Sequence, residues 1–355
     1  MPQKFVIYGA YGFTGKLVAR LAAQKGYKPL LAGRNEAPLA ELANELQMPF
    51  KAFSLDDTQV LEEVLSNHDV LLNCAGPYSK TARPAVEACL KTGTHYLDIT
   101  GELEVFEWVA AQGKRAHQQG VVLMPGTGFD VVPTDCLARF LKEQLPDATH
   151  LELAFKGISK MSRGTALTMA ESMGKGGAIR EKGQIKNVPA AYKTRPLQLQ
   201  GRTQTGVTIP WGDVSTAYYS TGIPNVMVYT VMPEKMITKM RRTRYIGWFL
   251  SLGPIQKQAQ KRIKQKVKGP DEEMQKKGRS YLWGEVRNSQ GKKVEAWMQT
   301  PEGYTLTAAT ALLCLEKLEK AGLQGGFYTP SMAVGPDLIL EADGVTRDLS
   351  PEAAQ

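Results

Sequence analysis

The sequence predicts an α/β protein: a doubly wound parallel sheet, followed by an inserted α+β domain built on a mainly antiparallel sheet. Three observations carry this. Over the first 130 residues short apolar runs alternate with stretches of helical periodicity, the pattern of βαβ units. The first apolar run opens onto three glycines spaced three apart, in FVIYGAYGFTG (5–15). Beyond residue 130 the apolar runs lengthen and adjoin one another without long crossovers, as antiparallel neighbours do.

The expected strands of the first part are KFVIYG (4–9), KPLLAG (28–33), PFKAFSL (49–55), DVLLNCAG (69–76), HYLDIT (95–100) and VVLMPG (121–126). Helical segments fall between them at 14–25, 36–46, 57–66, 82–92 and 103–119. Right-handed crossovers then leave a Rossmann-type sheet covered on both faces. A helix near 133–144 follows, then strand-like 149–157, helical 162–173, and strands at 206–210, 214–221, 225–232, 281–288 and 293–300. The last helix is expected at 306–321. The domain expectation is 1–130 for nucleotide binding, 131–304 for substrate, and 305–355 as a C-terminal helix and tail packing back on the first domain.

Length and composition agree with two soluble globular domains, at 355 residues, 43% hydrophobic and 22% charged. Four scattered cysteines make no CxxC pair, and no two of the four histidines stand four apart, so neither a disulfide framework nor a metal helix is expected. The first strand starts by Lys4, so no signal peptide is expected, and no apolar run reaches a membrane span. A cytoplasmic protein is the expectation. The net charge of +9 is local: residues 235–279 hold fourteen Lys/Arg against three acids, and the remainder is −2. That distribution argues against nucleic acid as a partner.

Gly9, Gly12 and Gly15 lie between a strand and a helix, where a glycine triplet lets a diphosphate approach the backbone and the positive helix end. Ala10, Tyr11, Phe13 and Thr14 complete that loop. The second strand ends Gly33-Arg34-Asn35, without the acid that would hold a ribose 2′-hydroxyl. A guanidinium there suits a 2′-phosphate, so NADP is the expected cofactor. Three further strands end in glycine-bearing loops, CAGPY (74–78), ITGE (99–102) and PGTGFD (125–130). Of these, Ala75-Gly76-Pro77 is expected against the nicotinamide half.

GAYGFTG, AGR, NCAGPY, HYLDITGE, GFDVVPTD and GGFYTPSMAVG, in this order from residue 7 to about 335, resemble the saccharopine dehydrogenase-like oxidoreductases. The resemblance is closest to the branch that includes trans-acting enoyl reductases. It implies an N-terminal NADP-binding domain, an inserted α+β domain, and activities that range from secondary-amine chemistry to reduction of lipid enoyl groups.

Hydride transfer needs a proton donor close to the acceptor. None of the thirteen tyrosines has Lys four residues on, which excludes the short-chain dehydrogenase arrangement. The remaining candidates at the groove are Tyr78, Asp98, Glu102 and Asp130. Each has a structural alternative: a loop cap for Tyr78, loop amides for Asp98, a helix start for Glu102, a turn for Asp130. Trp211, Tyr218, Tyr219, Tyr229, Trp283 and Trp297 either line an apolar pocket or pack the second sheet.

The expected function is therefore an NADP(H)-dependent oxidoreductase reducing an apolar acyl or enoyl substrate in a cleft between the domains. The alternatives are an opine-type dehydrogenase, for which Arg163 and Lys175 are the available cations, and a non-catalytic NADP-binding, membrane-peripheral protein. In 235–279, YIGWFLSLGP (245–254) adjoins a basic segment in which Ile255, Ala259, Ile263 and Val267 recur every four residues. With Trp248 and Phe249 as anchors it is a candidate contact for an anionic membrane surface, or else a lid.

Overall fold

The computed structural model describes residues 4–157, 160–171, 176–199, 201–250, 253–267 and 269–350, and the chain divides into two units. The first comprises residues up to Val132 together with Tyr304–Leu338. The second comprises Pro133–Gly303 and the residues from Ile339 on.

In the first unit six strands, β1 (Phe5–Tyr8), β2 (Leu30–Gly33), β3 (Phe50–Ala52), β4 (Val70–Asn73), β5 (His95–Asp98) and β6 (Val122–Met124), form a parallel sheet in the order β6-β5-β4-β1-β2-β3. The helices between them are α1 (Phe13–Gln24), α2 (Glu36–Leu46), α3 (Thr58–Leu65), α4 (Tyr78–Thr92), and the pair α5 (Leu103–Ala111) and α6 (Gly113–Gln118). Strands buried on both faces explain the apolar runs without alternation: Val6, Ile7, Leu71, Leu72 and Leu97 are all fully buried. The order reverses between β1 and β4, and Tyr8, Asn73 and Asp98 end three adjacent strands side by side. A ligand crevice belongs outside such a reversal, at the carboxyl ends of the strands.

The second unit contains α7 (Val132–Gln144), β7 (His150–Gly157), α8 (Arg163–Glu171), β8 (Gly177–Glu181), β9 (Gln184–Val188), β10 (Thr194–Leu199) and β11 (Arg202–Thr208). It continues with α9 (Asp213–Thr221), β12 (Asn225–Val231), α10 (Glu234–Leu250), α11 (Gly253–Lys266), α12 (Glu272–Lys277), β13 (Arg279–Arg287) and β14 (Lys293–Pro301). The C-terminal part gives α13 (Gly303–Lys320), β15 (Gly326–Phe327), which extends the first sheet beside β6, α14 (Pro330–Val334), and β16 (Thr346–Leu349), which pairs with β14. The second sheet runs β10-β11-β12-β7-β13-β14-β16, antiparallel except between β12 and β7. The tail expected on the first domain therefore divides, because β16 finds its backbone partners on β14.

One expected strand is a helix. Residues 214–221 fall in α9, although VSTAYYST is rich in β-forming residues. Helix backbone satisfies the buried hydroxyls locally: Ser220 and Thr221 donate to Ala217, and Gly222, at φ +70°, ends the helix in the left-handed region. The hairpin β8–β9 and strand β10 lie outside the expected strands, since most of their residues are polar or only half-buried. Across the face of the second sheet, Arg195 of β10 pairs with Glu152 and Glu285 and lies 4.5 Å over the Trp283 ring. Tyr229 and Trp283 are buried with Leu197 and Leu199, Trp211 packs on Phe155, and Arg180 covers Tyr218. For Tyr229 and Trp283 packing of the second sheet accounts for the pattern, whereas Tyr218 stands on α9. Arg163 is exposed at the start of α8, and Lys175 lies outside the described residues.

Candidate functional site

The glycine loop turns directly off β1. Gly9 adopts φ +80° and its N–H donates to Ala32 O at 2.8 Å, so the first glycine makes the turn and ties it to β2. A Cβ on Gly9 would stand 2.9 Å from the Ala75 backbone nitrogen, and one on Gly15 would overlap the Gly9 carbonyl oxygen. The first and third glycines thus fix two close approaches, loop on loop and helix on loop. Gly12 stands at the N-cap of α1 with no side-chain cap, and the first turn of α1 carries no acid. Its end is an uncompensated positive pole.

Tyr11 reaches across to the end of β2, where its ring lies against Gly33, so close that a Cβ there would sit 2.5 Å from Cε1. Arg34 and Asn35 follow, both exposed, and Asn35 occupies the N-cap of α2 without capping it. Phe13 meets Tyr304 edge-on at 5.0 Å. Ala10 is buried, Gly12 and Thr14 half-buried. A cradle emptied of Cβ atoms, a bare helix pole and a guanidinium at the second strand fit a dinucleotide bearing a 2′-phosphate.

The other loops converge on the same edge. Ala75 has both backbone groups held by side chains, its N–H by Asn73 Oδ1 (3.0 Å) and its carbonyl by the Thr81 hydroxyl (2.6 Å). Gly76 is exposed, Pro77 half-buried, and the bond between them is cis. Helix α4 then starts at Tyr78, and its cap comes from a different loop: Tyr78 N–H and Ser79 N–H donate to the two oxygens of Glu102, each at 2.8 Å. Glu102 also stands at the N-cap of α5, in line with its structural alternative.

Asp98 is fully buried. It accepts the Tyr96 hydroxyl (2.7 Å) on one oxygen and the N–H groups of Thr100 and Gly126 (both 2.9 Å) on the other. Burial pushes its carboxyl up to about 6, the three hydrogen bonds opposing that rise. Asp130 follows the β6 loop, half-buried, with its carboxylate pressed against Gly101, and burial pushes it up to about 7. The β6 loop is itself anchored on α13, where Phe129 N–H donates to Thr307 and the Thr310 hydroxyl to Thr127 O.

Tyr78 is 8% exposed, and among the described residues its hydroxyl has no hydrogen-bond partner. Burial, then the charges of Cys74, Asp98, Glu102 and Asp130, push its pKa well above the ordinary 10, so it stays a donor at neutral pH. Burial likewise pushes the Cys74 thiol up to about 12, which makes it unreactive. His95 accepts the Val122 N–H, a core role. The sequence points to Tyr78, Asp98, Glu102 and Asp130, and the fold brings all four to one region. Asn73, Tyr96 and Thr81 escape that reading, although a lone asparagine ending the apolar strand DVLLN is a usable signal.

Residues 5–124 match the model of the saccharopine dehydrogenase NADP binding domain. By that match the first unit carries an NADP binding domain of the saccharopine dehydrogenase type. Among curated proteins similar to this chain, a trans-acting enoyl reductase of Mycobacterium ulcerans is 29% identical over 206 residues, covering 54% of this chain and 49% of that protein. Its Mycobacterium tuberculosis counterpart is 31% identical over 183 residues, 47% and 44% of the two chains. A saccharopine dehydrogenase-like oxidoreductase of Bos taurus is 27% identical, over 46% and 43%. The chain spans about half the length of the curated relatives it matches. Saccharopine dehydrogenase (L-Glu forming) of Saccharomyces cerevisiae shares the fold at a TM-score of 0.66 with 12% identity, covering 98% of this chain and all of that one. The NADP-binding assignment agrees with Arg34 at the end of β2. No helix among the described residues is long and apolar enough to cross a membrane, and none of their His, Cys, Asp and Glu side chains cluster as a metal site.

Proposed function

We propose that this chain is an NADP(H)-dependent oxidoreductase that reduces an apolar acyl or enoyl group, with Tyr78 as its proton donor. One observation carries the assignment: Tyr78, 8% exposed and held protonated by burial and by acidic neighbours, has a hydroxyl with no protein partner among the described residues and follows β4, where the strand order reverses. The cofactor, when bound, supplies the hydride. Gly9, Gly12 and Gly15 admit its diphosphate, Arg34 takes the 2′-phosphate, and Ala75-Gly76-Pro77 meets the nicotinamide half. Tyr78 polarises the substrate oxygen or protonates the enolate, and Asp130, close to half-protonated at neutral pH, restores that proton from solvent. The names of the mycobacterial relatives support the enoyl class.

The test is turnover of NADPH on a panel of enoyl and acyl thioesters, with keto-acid and amine pairs as the competing class. Tyr78→Phe should cut turnover by about ten- to a hundredfold while NADPH affinity holds, the pattern of a group used in the transition state. Unchanged turnover makes Tyr78 structural, and activity confined to keto-acid and amine pairs makes the protein an opine-type dehydrogenase.

Residues 235–279 are read as a membrane-surface segment. Exposed Met236 and Tyr245, the latter 83% exposed, and exposed Arg241, Arg242, Lys261 and Arg262 on α10 and α11 support contact with anionic lipid. The side chains of Trp248, Phe249, Ile255 and Ala259 lie outside the described set, as do Ser251, Leu252 and Lys268.

A further inference from the structure

Three of the loops at the carboxyl edge are joined inside the protein by one chain of hydrogen bonds. It starts at Ala75, whose N–H donates to Asn73 Oδ1 at 3.0 Å. The Asn73 amide donates from Nδ2 to the Tyr96 hydroxyl oxygen at 3.4 Å, the longest link, and to Thr81 Oγ1 at 3.3 Å. Tyr96 donates to Asp98 Oδ2 at 2.7 Å, and Asp98 Oδ1 collects the N–H groups of Thr100 and Gly126. Asn73, Tyr96 and Asp98 are all fully buried, so water cannot replace a lost link.

The direction of every link follows from one end. An ionised carboxylate only accepts, so Tyr96 must spend its proton on Asp98 and present a lone pair to Asn73. Asn73 then must turn its NH2 toward Tyr96 and its oxygen toward Ala75. That is the orientation Ala75 N–H requires, and it also leaves the Thr81 hydroxyl proton for the Ala75 carbonyl. Ala75 in turn touches Gly9, which carries the chain to the fourth loop.

We propose that Asn73, Tyr96 and Asp98 form a polarised relay of positioning residues that holds the Ala75–Pro77 loop in its cofactor-receiving shape. Asp98 is on this account a positioning residue rather than the acid of the reaction. The proposal rests on the reading that Ala75–Pro77 meets the nicotinamide half.

Polarity gives the test. Asp98→Asn is nearly isosteric but turns an acceptor into a donor. Tyr96 must then donate to Asn73, whose amide flips and sets a donor against Ala75 N–H. Adding Asn73→Asp restores an acceptor at that end: the carboxylate now at position 73 takes both Ala75 N–H and the Tyr96 proton, and the amide now at position 98 donates to the Tyr96 oxygen. Two measurements on the full chain read this, amide hydrogen exchange of the segment containing Ala75 without cofactor, and dissociation constants for NADPH and for 2′-phospho-ADP-ribose, which lacks the nicotinamide. Tyr96→Phe and Asp98→Asn should each speed exchange at Ala75 and weaken NADPH about tenfold, leaving the fragment within about twofold of wild type. The double variant should recover most of both losses. The retained fragment affinity shows that the variants fold. Unchanged exchange at Ala75 in both single variants, or a double variant no better than Asp98→Asn, overturns the relay. Altered exchange with unaltered NADPH affinity would instead overturn the loop's assignment to the nicotinamide, and with it the relay's role in binding.

Discussion

Gly9 lies so close to Ala75 that a single methyl group on it would sit 2.9 Å from the Ala75 backbone nitrogen. The two residues follow β1 and β4, the strands between which the sheet order reverses, and their contact brings the glycine loop and the β4 loop to one point. Gly9→Ala should therefore combine left-handed backbone strain with overpacking, on the order of 2–4 kcal/mol of lost stability. A lower thermal midpoint together with NADPH affinity weakened at least tenfold is expected in melting and titration experiments. A variant as stable as wild type would show that the contact relaxes without cost.

Arg34 is exposed, next in sequence to the Gly33 on which the Tyr11 ring lies, and it is the cation that follows β2 directly. Arg34→Glu should remove a charge-assisted bond of roughly 1.5–3 kcal/mol and add repulsion, so NADPH affinity should fall at least tenfold while NADH affinity stays within about twofold. Calorimetry on both cofactors decides this. Equal losses for the two would place the 2′-phosphate elsewhere.

Glu102 holds Tyr78 N–H and Ser79 N–H, and that makes it the cap of α4. Glu102→Gln should cost roughly 1–2 kcal/mol, because a neutral acceptor replaces a charged one at a helix N-terminus. The pH profile of turnover should keep its shape. Loss of one limb of that profile would instead make Glu102 the catalytic acid.

Asp130 should make stability depend on pH in a definite direction. Burial raises its pKa from the ordinary 3.8 to about 7, so the fold favours the protonated form. The contribution is complete below about pH 4 and is lost as pH rises through about 7, with Asp98 adding to the fall up to about pH 6. Asp130→Asn should flatten this decline and gain on the order of 1–2 kcal/mol at about pH 8, below the full shift because the side chain is only half-buried. Denaturant melts at about pH 4.5 and pH 8 check it. Parallel wild-type and variant curves would count against a protonated Asp130.

The basic segment makes its own prediction. The purified protein should co-sediment with anionic vesicles at low salt, release at high salt, and ignore neutral vesicles, since surface charge attraction is screened within a Debye length. Failure to bind either vesicle would leave α10 and α11 as a lid.

How much is legible in the sequence depends on how local the cause is. Gly9, Gly12 and Gly15 can be read directly, because a strand, a turn and a helix follow one another within about twenty residues and each glycine is needed for a steric reason of its own. The six parallel strands are equally plain, since burial on both faces removes alternation and leaves runs such as VLLN. Residues 214–221 mislead because β-branched and aromatic residues bias a segment toward strand, whereas hydrogen bonding of buried hydroxyls and the Gly222 cap decide for helix. Only the tertiary structure could show that Glu102 caps a helix 23 residues earlier in the chain, that Tyr78 has no hydroxyl partner among the described residues, or that Asn73, Tyr96 and Asp98 form one directed chain. The sequence by itself determined the sheet, its nucleotide edge and the cofactor, because period, glycine spacing and the residue ending the second strand act locally. The roles of the polar residues on that edge depend on which partner each meets in a water-free interior, and that is set by strand order, which brings Asn73 beside Asp98 across 25 residues of chain.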